Sequence, residues 1–155
     1  VEEVHFTFAG HPMARKRGIR FLTHEDLQQG DVSLAYVSRL MNRKYNSGPL
    51  FRKVLQSIWH MINNSQEVYV VGKILEDNTV KGGTGWGAEF AKLGNKTLYV
   101  FEQEQGHWFR WQTDHWKKET PGIRHKHFAG TGTRFLTEEG KTAIRELFER
   151  SFKGT

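Results

Sequence analysis

Four glycines within six residues (Gly82, Gly83, Gly85 and Gly87), with Thr84 and Trp86 between them and Glu89 two positions on, make up the segment of the sequence with the most chemical content. Glycines at the start of a helix let a ligand approach the backbone, and the unsatisfied amides of a helix N-terminus suit an anion, most often a phosphate. A carboxylate about one turn into that helix reaches back over the glycine lip, towards a ribose hydroxyl or an anomeric carbon. The alternative for Glu89 is a solvated helix residue stabilised by the helix dipole. A second group, Thr131, Gly132, Thr133 and Arg134, offers two hydroxyls and a guanidinium beside backbone amides. That is a phosphate cradle, or else a turn with a surface arginine. The loop from Gly10 to Arg17 begins on a glycine and turns basic, so that the cluster Arg15 to Arg20 binds phosphate or nucleic acid unless it is only solvated. Trp86, Trp108 and Trp111 are the candidates for stacking on a base. The segment from Trp108 to Trp116 has a structural alternative, covering a sheet edge or sealing a subunit interface. His125 and His127 place two imidazoles on one face of a strand, half of a metal site, but no third ligand accompanies them, and no cofactor is expected.

These groups need a scaffold that gathers them. Val4 to Ala9, Glu67 to Ile74, Thr97 to Phe101 and His125 to Ala129 are short β-branched and aromatic runs that read as buried strands. Leu50, Val54, Leu55, Ile58, Met61 and Ile62 recur at helical spacing, and so do Ala143, Ile144, Leu147, Phe148 and Phe152. Thr137, with Glu138 and Glu139 behind it, marks the start of the last helix. Residues 24–45 predict a further helix, interrupted or started near Gly30 and Asp31. Strands alternating with helices imply an α/β fold, a Rossmann-like three-layer sandwich with a small parallel sheet and right-handed crossovers. Residues 104–122 hold three of the five tryptophans without a helical stripe and read as an inserted hairpin or arm. Gly10, Gly82 to Gly85 and Gly130 each follow a predicted strand. In one parallel sheet all three junctions share the carboxyl edge, and one cleft with Glu89 in its wall is the expectation.

Composition narrows the function classes. The chain has 155 residues, 37% of them hydrophobic, and no cysteine, so a single domain with its own core is expected and disulfide scaffolds or cysteine-held metals are excluded. Its apolar runs fall far short of the roughly 20 residues that span a bilayer, which predicts a soluble, cytoplasmic protein without a membrane partner. A net charge of +6 favours an anionic partner.

The run Gly82-Gly83-Thr84-Gly85-Trp86-Gly87-Ala88-Glu89 resembles the P-G-G-x-G-T-x-x-E signature of the "lonely guy" (lysine-decarboxylase-like) phosphoribohydrolases, within the SLOG superfamily of Rossmann-like nucleotide-binding proteins. Gly82, Gly83, Gly85 and Glu89 fall on matching positions, while Lys81 replaces the proline and Trp86 the threonine. Gly94, Lys96, Tyr99 and Val100 are similar at the entry to the following strand, so the likeness covers about residues 50–102. The resemblance implies a ligand built on a nucleoside phosphate and, for the hydrolases, cleavage of the N-glycosidic bond with Glu89 in the acidic role. The hydrolases also use an arginine on the helix before the motif strand. Ser57 or Ile58 occupies the matching place here, and Arg52 is the nearest counterpart. The superfamily also includes non-catalytic nucleotide sensors and single-strand nucleic-acid binders, so three functions are in view: a hydrolase, a sensor or sequestering module, and a nucleic-acid binder; a homo-oligomer, dimer or higher, is expected.

Overall fold

The computed structural model describes residues 2–11, 17–45 and 48–152. The chain forms two units, Val1–Asn64 and Ser65–Thr155. In the first, β1 (His5–Thr7) and β2 (Ile19–Phe21) pair in parallel, and α1 (His24–Gln28), α2 (Asp31–Met41) and α3 (Pro49–Asn63) follow. Helix α1 opens with a capping box. Thr23 Oγ1 accepts from the Asp26 amide at 3.1 Å, and Asp26 Oδ2 accepts from the Thr23 amide at 2.9 Å. The bond from the Thr23 amide is the first reason the Asp26 carboxyl lies below its ordinary value. Gly30 stands between α1 and α2 where Trp59 leaves no space for a side chain: a Cβ at this position would lie 2.4 Å from the indole. Leu34, Val37, Leu55 and Ile62 close the core between the helices.

The second unit runs β3 (Glu67–Gly72), α4 (Gly83–Leu93), β4 (Thr97–Glu102), β5 (His107–Gln112), β6 (His115–Lys118), β7 (Phe128–Gly132) and α5 (Glu138–Phe152). Its five strands lie in the order β6-β5-β4-β3-β7; β4, β3 and β7 are parallel and β5 and β6 antiparallel. Tyr69, Val71, Tyr99, Phe101 and Trp108 turn to one face and pack on Ala143 and Leu147 of α5. The alternate residues Val68, Val70, Leu98 and Val100 turn to the other face, where α4 lies against β3, β4 and β7. The result is the Rossmann-like three-layer arrangement, α/β/α, on a mostly parallel sheet. The tryptophan-rich segment is a hairpin, β5–β6, which adds two strands to the sheet beside β4. Among the described residues no helix is long and apolar enough to cross a membrane.

Two expectations about the strands are corrected. The first strand does not join the large sheet: β1 pairs with β2, so Gly10 closes a strand of a separate two-stranded sheet and not the edge that carries Gly83. An apolar run identifies a strand but leaves its partner open. The last strand begins three residues later than its predicted start at His125. The buried carboxylate of Glu67 accepts the amides of Arg124 at 2.9 Å and His125 at 2.8 Å, which holds both residues out of the ladder. Gly130 therefore sits in mid-strand opposite Tyr69, not at a strand end, and Thr131 and Gly132 also belong to β7.

Candidate functional site at the carboxyl edge of the sheet

Neighbouring strands β3 and β7 send the chain in opposite directions: β3 leads to α4 on one face, β7 to α5 on the other. Divergence of this kind opens a crevice beyond the carboxyl ends of the two strands, and α/β sheets bind ligands there. The glycine run reaches that edge on the β3 side. Gly82, at φ +78°, turns the chain into α4 in a conformation that disfavours a side chain, and no side chain caps the helix. Space is open where a Cβ would stand at Gly82 and at Gly83. Thr84 is buried and donates to the Lys81 carbonyl at 3.0 Å, so its hydroxyl shapes the turn. Beneath it, Gly72 permits close packing: a Cβ would lie 3.0 Å from Val80 Cγ1 and 3.5 Å from Thr84 Oγ1.

On the β7 side the Thr133 amide donates to Val71 O at 3.0 Å, tying the loop to β3, and Thr133 Oγ1 accepts from the Phe135 amide at 3.1 Å. Arg134 is exposed, with its guanidinium 5.5 Å from the centre of the Phe135 ring. Gln103, just beyond β4, clamps this loop. It donates to Phe135 O at 3.3 Å, and its Oε1 accepts from the Thr137 amide at 2.8 Å and the Thr137 hydroxyl at 3.0 Å. Thr137 in turn accepts from the Gly140 amide at 3.0 Å, capping α5. Glu102, 2% exposed at the end of β4, accepts from the amides of Glu104 at 2.8 Å and Ile74 at 3.4 Å, which fixes the turns on both sides. Glu102, Gln103 and Phe135 were not legible as site residues. The one signal for Glu102 and Gln103 was polar residues directly after the apolar run Thr97 to Phe101, and Phe135 had none.

The structure thus brings Gly82, Gly83, Thr84 and Gly85 to the same sheet edge as Thr133 and Arg134, with Thr131 and Gly132 in the strand just below. Arg52 belongs to the first unit, where its Nη2 lies 3.1 Å from Asp31 Oδ2 and ties α3 to α2. Glu89 is 5% exposed, so the solvated alternative is excluded. Its Oε2 lies 3.0 Å from Lys92 Nζ, in ion-pair contact without the alignment of a hydrogen bond. The Lys92 ammonium sits 4.0 Å from the centre of the Trp111 ring and 5.3 Å from that of Trp116, and donates to Asn78 O at 3.1 Å, which also accepts from Trp116 Nε1 at 3.0 Å. Trp86 and Trp108 are core side chains, 2% and 6% exposed, with no open ring face for a base; this corrects the stacking expectation for both. Trp111 is half-buried beneath Lys92.

His125 and His127 pair with each other, ring centres 5.7 Å apart, at the opposite end of β7. Among the described residues no three His, Cys, Asp or Glu side chains cluster to hold a metal. Of the basic cluster, Arg15 and Lys16 lie outside the described residues, while Arg17 and Arg20 are exposed. The chain matches no family model, and no curated protein and no solved structure matches it.

Proposed function

We propose that this chain is a cytoplasmic SLOG-type domain that binds a nucleoside phosphate at the carboxyl edge between β3 and β7. The observation that carries the reading is the divergence of these two strands to helices on opposite faces, with an uncapped glycine lip on one side and Thr133 and Arg134 on the other. The amides of Gly83 and Thr84 and the Arg134 guanidinium take the phosphate, and open space at Gly82 and Gly83 lets its oxygens reach the backbone. Of the two uses for such a site, sensing is favoured over hydrolysis of the base–sugar bond. Hydrolysis needs a carboxylate facing the sugar, and the buried Glu89 carboxylate is already committed to Lys92.

Calorimetric titration with adenosine and guanosine monophosphates tests the binding. A Cβ at Gly83 meets nothing within 4 Å, so Gly83→Val crowds the lip at the backbone, and affinity should fall at least tenfold while the melting temperature changes little. Equal affinity in wild type and variant overturns the site. Chromatography of the same mixtures separates the two uses: release of free base by the wild-type protein establishes turnover and overturns the sensor reading.

A further inference from the structure

Phe135 is 76% exposed, more than any other aromatic residue among those described. It contributes nothing to the core, and yet the backbone beneath it is held on both sides. Its amide donates to Thr133 Oγ1, and its carbonyl accepts from Gln103, whose other amide atom fixes Thr137. The backbone that carries this open ring is held before any ligand arrives, so contact with the ring costs no ordering of the loop. The Arg134 guanidinium lies over the ring at 5.5 Å and leaves most of it free. Meanwhile the indoles of Trp86 and Trp108 are enclosed in the core, which leaves Phe135 as the open aromatic surface beside Thr133 and Arg134.

We propose that Phe135 is the base-binding platform of the site: the nucleobase stacks on its ring while the phosphate lies against Arg134 and the α4 lip. This assignment rests on the nucleoside-phosphate reading and adds the contact that recognises the base. Phenylalanine has no hydrogen-bonding group, so the platform ranks bases by stacking area and binds purines more tightly than pyrimidines without separating adenine from guanine.

Four probes test it on the full chain: adenosine, guanosine and uridine monophosphates, and ribose 5-phosphate, which lacks a base. The wild-type protein should bind both purine nucleotides about equally and at least tenfold more tightly than ribose 5-phosphate, with uridine monophosphate between. Phe135→Ala should bring the purine nucleotides down to the level of ribose 5-phosphate, leave ribose 5-phosphate itself unchanged, and keep the melting temperature, since so exposed a ring supports little of the fold. Phe135→Trp should restore purine affinity and show quenching of the new indole on binding. Purine affinity that survives Phe135→Ala overturns the platform alone, as does an equal loss for ribose 5-phosphate, which would mark a change in the loop. A wild-type protein that binds none of the four removes the nucleoside-phosphate reading, and the platform with it.

Discussion

Glu89 and Lys92 stand three positions apart on α4, and the cost of burying both charges depends on each having the other. Removing Lys92 strands the Glu89 carboxylate, whereas removing Glu89 leaves the ammonium its bond to Asn78 O and its two indoles. Lys92→Met should therefore lower stability by roughly 3 kcal/mol, Glu89→Gln by less, and the double variant by clearly less than the sum, as measured from urea denaturation midpoints. The spacing of the pair is plain in the sequence. The indoles that enclose it are not, because Trp111 and Trp116 reach Lys92 only once the hairpin has joined the sheet. A second, partly buried contact gives a pH signature. Glu119 accepts from the Tyr99 hydroxyl at 2.6 Å, the main reason its carboxyl titrates below the usual 4.5, and Arg110 adds attraction. Its contribution is present above the unfolded value and is lost as pH falls through the lower folded one. Burial, then this bond, pushes Tyr99 from 10.0 up to about 12, so its contribution holds below the unfolded value and is lost as pH rises towards the folded one. Urea midpoints taken across pH should show a flatter acid limb for Glu119→Gln and a flatter alkaline limb for Tyr99→Phe.

At the scale of elements, legibility followed the physics of periodicity. β3 and β4 were readable because both faces of a parallel strand are buried, leaving an unbroken apolar run. Helix α5 was readable from its stripe and its Thr137 cap, and the break between α1 and α2 from Gly30. Pairing was not readable, since Val4 to Ala9 carries nothing that chooses between a large sheet and β2. Nor was the start of β7, which Glu67 sets from a distant part of the chain. Of the candidate site, the glycine lip and Arg134 were legible as local motifs, whereas Phe135 depends on a loop folded by Gln103. Gly140 shows how tightly that loop and helix fit. A Cβ there would stand 2.3 Å from Gln103 Oε1, 3.0 Å from Leu136 Cδ1 and 3.2 Å from Val71 Cγ1. Gly140→Ala should cost about 1–3 kcal/mol through displacement of Gln103, while Gly83→Ala, with nothing within 4 Å, should stay within about 0.5 kcal/mol. Thermal denaturation of the two variants side by side checks the contrast.

Across the whole molecule, the charge of +6 suits the anionic ligand proposed, and in the second unit parallel and antiparallel pairing meet at β4. That unit is built outward from β3, which has β4 on one side, β7 on the other, a helix over each face, and all six residues buried. No small opening motion uncovers such a strand, whereas β6 lies at the margin with His115, Lys117 and Lys118 exposed. In heavy water, the amide protons of Val68 to Val71 that bond to neighbouring strands should be among the last to be replaced by deuterium, through openings that take the whole unit apart, and those of β6 should go much sooner through local fraying. Raising denaturant in small steps should speed the β3 amides steeply and the β6 amides hardly at all, so that the deuteration map of the intact chain reports which strand the unit is hung from.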